Sequence, residues 1–324
     1  MFFPSMNIKR FLPLIGVIIL GYLLYQLDFS DVFEVFDIAP VYLIILFLFA
    51  CIPVVVISNI EWQYLLKKQH IHVSFLYSLK NIFIGYFFGF ITPGGIGGYT
   101  RALYLKDGSH QPLETCLFNI GIINTIDIIT LFLISIIGAF LFSSIYPVLM
   151  YTLLFLCIIW IGFLGILIHQ KTWKWMVTLL FRFSILKPYY QWLSTSIQQL
   201  QKSLPSKKQI LYTGLLSVIG WIIRFSLFYI VLRSFAVEVD YIPVILIIAI
   251  ANIIAMVPIS IYGLGTREAV LLSFFSIYSV SKDLVISVSL FWFFVIWVIP
   301  SIIGAVVTVF EKHTQTQIKW FSSS

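Results

Sequence analysis

The chain has 324 residues, of which 60% are hydrophobic and only 10% charged, and its mean hydropathy is +1.03. A soluble globular domain is nearer a quarter charged, so this composition excludes one: there is too little polar side chain to cover a water-facing surface. The formal charge of +7 comes from basic residues in short runs between apolar stretches, which is the positive-inside pattern of a membrane protein and not a nucleic-acid footprint.

A spanning helix needs about 20 mainly apolar residues. The first such run, 11–27, follows Lys9 and Arg10 as a secretory signal would. No small-x-small cleavage site precedes the acidic stretch 28–37, so the run is expected to stay as a first helix. Run 40–60 comes next and leads to Lys67 and Lys68. Stretch 73–105 is apolar but broken at Thr92-Pro93-Gly94-Gly95-Ile96-Gly97-Gly98. Runs 116–142 and 148–168 follow, joined by a short link.

Segment 170–210 is the long polar connection. It carries seven basic residues and no acid, interleaved with Trp173, Trp175, Phe181, Phe183 and Trp192. That mixture fits a basic cytoplasmic loop or an interfacial helix on an anionic leaflet. Beyond it lie run 211–235, a second broken stretch 243–280 with its turn at Pro258-Ile259-Ser260-Ile261-Tyr262-Gly263-Leu264-Gly265, and run 284–310. Cys51, Cys116 and Cys157 all fall inside apolar runs, far apart and without metal-ligand spacing, so neither a metal nor a cofactor is expected.

Charge parity orders these runs. The acids of 28–37 lie outside, the lysines at 67–68 and the 170–210 segment inside, and the acids Glu238 and Asp240 outside again. With both termini cytoplasmic, 73–105 starts and ends inside, and 243–280 starts and ends outside. Proline removes a backbone donor and glycine allows positive φ, so both clusters suit a reversal of the chain. The expected fold is all-α and polytopic, with about six spanning helices and two re-entrant helical hairpins. Two long kinked spanning helices are the alternative for the broken stretches.

The two turns resemble each other. Gly97-Gly98-Tyr99-Thr100-Arg101 and Gly263-Leu264-Gly265-Thr266-Arg267 share Gly-x-x-Thr-Arg at an offset of 166 residues, and the same offset carries 40–60 close to 211–235 and 116–142 onto 284–310. The chain therefore reads as one transmembrane domain, 1–324, with pseudo-repeat halves at about 11–142 and 148–310 in opposite orientation. Such inverted-topology repeats place substrate near the bilayer midplane on broken helices.

Each Thr-Arg opens a helix, where unpaired N–H groups attract an anion, and each arginine adds a donor fork suited to phosphate. A charge at the bilayer centre costs at least about 2.5–3.5 kcal/mol, so these arginines need partners or a wet cavity. Thr100, Arg101, Thr266, Arg267, Glu268 and Asp127 are the candidate binding residues; internal ion pairing is the alternative for the charged ones. Arg224, inside 211–235, fits either role, whereas Arg233 and Lys80 are placed to snorkel. Pro93, Gly94, Gly95, Gly97, Gly98, Pro258, Gly263 and Gly265 are the expected break residues.

The Pro-Gly-Gly-x-Gly-Gly-x-x-Arg turn and the Gly-Leu-Gly-Thr-Arg-Glu-Ala turn resemble the two signature segments of the integral-membrane region of lysylphosphatidylglycerol synthases and its stand-alone relatives. The similarity covers roughly residues 10–310. In the helix after the first turn, Asp127 matches the family pattern, but the Glu-Arg pair that usually precedes it is replaced within Ile123-Asn124-Thr125-Ile126. In the two-domain synthases the resemblance implies that this region flips a modified phospholipid while a soluble domain transfers the amino acid. No such domain is read in this chain, so aminoacyl transfer is not implied.

The expectation is a plasma-membrane flippase or scramblase of an anionic phospholipid or a polyprenyl-phosphate-linked lipid, with partner enzymes of lipid or envelope synthesis. No Walker motif is present. The rivals are an intramembrane enzyme acting on a lipid phosphate and a non-transporting scaffold of an envelope-synthesis complex. All five histidines fall in or beside loops, away from any intramembrane acid, which speaks against the enzyme.

Overall fold

The computed structural model describes residues 41–168, 204–235, 237–256 and 263–310. Run 11–27, most of segment 170–210, Pro258 and the C-terminal tail lie outside the described residues. The described chain is built from helices in the order α1 (Val41–Lys68), α2 (Phe75–Phe90), a 3-10 segment (Pro93–Thr100), α3 (Arg101–Ser109), α4 (Leu113–Leu141) and α5 (Pro147–Ile168). After segment 170–210 come α6 (Lys207–Ser234), α7 (Tyr241–Ala255), α8 (Thr266–Phe275), α9 (Lys282–Phe293), a π turn (Phe294–Val298) and α10 (Ile299–Phe310). Pro300 accounts for the π turn. Its ring displaces the carbonyl one turn back and it offers no N–H, so the preceding turn opens by one residue.

Among the described residues, four helical stretches are long and apolar enough to cross a membrane: Phe49–Lys68, Leu113–Leu141, Lys207–Ser234 and Lys282–Phe310. Large apolar side chains such as Phe49, Phe140, Val148, Phe155, Val309 and Phe310 stand exposed on the outside of the bundle. Hydrocarbon can cover such a surface and water cannot. The chain is therefore a multi-pass helical membrane protein. The expected run 148–168 is a helix, α5, whose side chains as far as Gly162 are mostly exposed.

Both broken stretches fold back on themselves. Along the first, the Tyr77 hydroxyl donates to the Tyr104 carbonyl at 2.6 Å, Gly85 lies against Arg101 and Gly98, and Gly97 lies against Phe88. Early residues thus meet late ones in reverse order, so α3 runs antiparallel to α2. In the second, Gly263 lies against Ala255 at the turn. At the other end, the Tyr241 hydroxyl meets Ser226 at 2.6 Å and Phe275 stacks on Phe228, so both limbs start and finish beside the same part of α6. At 1.5 Å per residue, α3 and α8 reach only about 14–15 Å, half of a ~30 Å hydrocarbon core. Two long kinked spanning helices do not describe these segments.

The two halves match element by element. Helices α1 and α6 have 28 residues each and begin 166 residues apart; α2 and α7 begin 166 apart again. Ser135-Ile136-Ile137-Gly138-Ala139 in α4 recurs as Ser301-Ile302-Ile303-Gly304-Ala305 in α10, a recurrence that motif reading passed over. Its role is packing across the halves: α7 lies on α4, and α2 lies on α10. A Cβ on Gly138 would sit 3.0 Å from the Leu246 carbonyl, and one on Gly304 would overlap the Phe83 carbonyl. Each glycine lets the last helix of one half approach the hairpin of the other. Gly304→Ala should lower the thermal midpoint in detergent, by overpacking worth about 1–3 kcal/mol or more. Gly162→Ala, where a Cβ meets nothing within 4 Å, should leave that midpoint unchanged.

Candidate functional site

Four charged side chains converge from four helices: Glu61 of α1, Arg101 at the first position of α3, Asp127 of α4 and Arg224 of α6. Glu61 lies in the electrostatic field of the other three, and Asp127 in that of both arginines. Yet among the described residues no two of the four come within the 4.0 Å of an ion pair. Each is instead held by neutral neighbours, which leaves an open charged chamber with two bases and two acids.

Arg101 Nη2 donates to Asn124 Oδ1 at 2.8 Å, and its guanidinium lies over the Trp62 ring at 5.1 Å. Trp62 is itself pinned, donating from Nε1 to Asn119 Oδ1 at 2.7 Å. The Nε of Arg101 is buried and has no partner. Asp127 Oδ1 accepts from Ser217 Oγ at 2.5 Å, while Trp221 Nε1 donates to the Asp127 carbonyl at 3.1 Å. Arg224 Nη2 donates to Ser58 Oγ at 2.7 Å, and its guanidinium lies 4.9 Å from the Trp221 ring centre. Glu61 is 4% exposed with Oε1 unpartnered, and Asn81 of α2 is 1% exposed with both amide atoms unpartnered. Buried polar atoms are nearly always bonded, so a cluster of orphans marks a place for water or a ligand.

The second turn is built differently. Arg267, 1% exposed, donates to Glu268 Oε1 from Nε at 3.0 Å and from Nη2 at 2.6 Å. Ser289 Oγ also donates to that oxygen at 2.6 Å, and Glu268 Oε2 accepts the Gly265 N–H at 2.6 Å. The guanidinium is flanked by the rings of Trp292 and Phe293. The expectation of ligand contact at Arg267 and Glu268 gives way to internal pairing, because the fork and the carboxylate already occupy each other. Arg101 has no acid beside it, since the residue following it is Ala102.

Thr100 and Thr266 also have structural work. Thr100 Oγ1 donates to the Gly97 carbonyl at 2.7 Å, and Thr266 Oγ1 to the Gly263 carbonyl at 3.0 Å. That shared bond explains the Gly-x-x-Thr spacing: the hydroxyl ties the start of each returning helix to its glycine. Gly263 and Gly265 have φ of +76° and +85°, and Gly95 +70°, all open to glycine at little cost. Gly97 has another reason. A Cβ there would overlap the Phe88 carbonyl and the Thr92 hydroxyl, which accepts the Gly97 N–H at 2.7 Å. Pro93 and Gly94 open the 3-10 segment, and Gly98 lies against Gly85.

Of the expected site residues, Arg101 and Asp127 are brought together; Arg267 and Glu268 pair elsewhere. Glu61, Asn81, Asn124, Ser217 and Arg224 complete the chamber. Thr213, Ser217, Trp221 and Arg224 recur every three or four residues along an apolar helix, a polar stripe legible in the sequence. Glu61 carried no such signal, because it lies one residue beyond its apolar run. Arg233, expected to snorkel, is exposed and donates to the Val237 carbonyl at 3.1 Å past the helix end.

An all-helical bundle with two folded-back hairpins and a charged interior belongs among polytopic membrane proteins whose business is with lipid. A family model described as the lysylphosphatidylglycerol synthase TM region matches residues 12–304, and the chain belongs to that family. No curated protein sequence matches it.

Proposed function

We propose that the protein is a lipid transporter, a flippase or scramblase that carries an anionic phospholipid or a polyprenyl-phosphate-linked lipid across the plasma membrane. The chain itself carries out no bond chemistry in this reading. The observation that carries it is the open chamber: a buried guanidinium with an unpartnered Nε, on a short returning helix, faced by residues of both halves. Arg101 holds the phosphate and Asn124 aligns the fork, while Asp127 and Arg224 set the field around it. A guanidinium suits phosphate because its planar donors match two oxygens at once.

The matching halves support an inverted-topology repeat whose hairpins are re-entrant from opposite faces, with both termini cytoplasmic. Alternating access then consists of rocking one half against the other about Gly138 and Gly304. Cysteines placed in 106–112 should be labelled only from the cytoplasmic side, and those at 237–241 and 281–283 only from outside. Labelling of 106–112 from outside would remove the inversion.

Reconstitution into liposomes with a leaflet-specific lipid probe tests the function. Transbilayer movement supports the transporter. Turnover of the headgroup would point to the intramembrane enzyme, and neither result to a scaffold for partner enzymes of envelope synthesis.

A further inference from the structure

We propose that Glu61 is a proton-binding site linked to the headgroup site at Arg101, so that each anionic lipid enters the chamber with a proton. This rests on the reading of the protein as a transporter of an anionic lipid. Empty, the chamber is balanced, with Arg101 and Arg224 against Glu61 and Asp127. Asp127 is committed to that balance: its carboxylate accepts from Ser217, whose hydroxyl also meets Thr130 at 2.7 Å. Glu61 and Arg101 are the two that keep spare atoms, Oε1 on one and Nε on the other.

When a phosphate docks on Arg101, the charge that balanced Glu61 is taken. A buried carboxylate without a partner is expensive, and Glu61 is 4% exposed. A proton taken from water on the side to which the chamber is open removes that charge. It also converts the acceptor into an O–H donor that can face a phosphate oxygen. No covalent bond changes; one proton moves from water to a carboxylate oxygen.

The surroundings leave the task to Glu61. Arg101, Asp127 and Arg224 are the charged groups that act on it from α3, α4 and α6. From α2, Tyr86 acts on Arg101, and Lys80 is exposed. The π turn against α1 (Phe294–Val298) has no titratable side chain. The unpartnered amide of Asn81 lies one turn from Gly85, which touches Arg101, and marks room for water on the proton's path.

The test uses the full chain, purified in detergent and titrated with phosphatidylglycerol in weakly buffered solution containing a pH indicator. Wild type should take up a proton for each lipid bound. Glu61→Gln, which keeps the shape, should bind with uptake reduced at least tenfold, whereas Asp127→Asn should still take up protons on binding. Glu61→Asp, which keeps a carboxyl, should retain uptake and stands in if Glu61→Gln does not fold. In liposomes, a proton gradient should drive fluorescent phosphatidylglycerol across with wild type. Lipid binding by wild type without proton uptake, or unchanged uptake in Glu61→Gln, overturns the proton site. A wild type that neither binds nor moves phosphatidylglycerol overturns the transporter reading instead.

Discussion

Arg267→Gln should fail to accumulate as a folded protein, and adding Glu268→Gln should restore most of what it lost. In the wild type the guanidinium is filled by Glu268 Oε1 and flanked by two aromatic rings, with Arg267 1% exposed. Removing it alone strands a buried carboxylate that only Ser289 and the Gly265 N–H then satisfy. Breaking a buried pair in this way costs about 3–5 kcal/mol, whereas replacing both charged members is often close to neutral. The measurement is the thermal midpoint and yield of single and double variants in detergent. If Arg267→Gln proves as stable as the double variant, the pair is not a scaffold and Arg267 returns to the ligand site.

Arg101→Gln should behave in the opposite way: the protein folds and lipid movement is lost. Its guanidinium has no carboxylate in contact, so removing the charge strands no ion-pair partner. What disappears is the charge-assisted hold on a phosphate, worth about 1.5–3 kcal/mol per bond, or roughly ten- to a hundredfold in binding. Arg101→Lys should recover only part of this, because an ammonium keeps the charge without the planar fork that Asn124 aligns. The readout is the rate of probe movement in liposomes at matched protein content. Full activity in Arg101→Gln would remove the chamber from the transport path.

These two arginines occupy equivalent places in the Gly-x-x-Thr-Arg turns, and nothing in that motif separates their roles. The difference lies in what surrounds each. Glu268 follows Arg267 directly, and the chain turns so that Ser289 and two rings close around the pair. At the first turn the adjacent residue is Ala102, and the groups that balance Arg101 arrive from three other helices. A local sequence can show that a charge is buried; which neighbour answers it depends on how distant helices are stacked.

Composition, apolar run length and the placement of lysine and arginine were enough to define a multi-pass helical protein, and the Pro/Gly clusters were enough to locate both breaks. These are local quantities: hydrocarbon demands apolar length, and backbone reversal demands glycine or proline. The 166-residue recurrence was also legible, since repeated packing leaves repeated small residues. The tertiary structure alone decided that the hairpins return antiparallel and that Gly138 and Gly304 each seat the hairpin of the other half. It alone placed Glu61, at the polar end of its apolar run, in the same chamber as Arg101, Asp127 and Arg224. Those outcomes depend on contacts between residues as much as 215 positions apart, such as Ser301 Oγ and the Tyr86 carbonyl at 3.1 Å. The periodicity of one helix says which face is buried, but not which helix covers it.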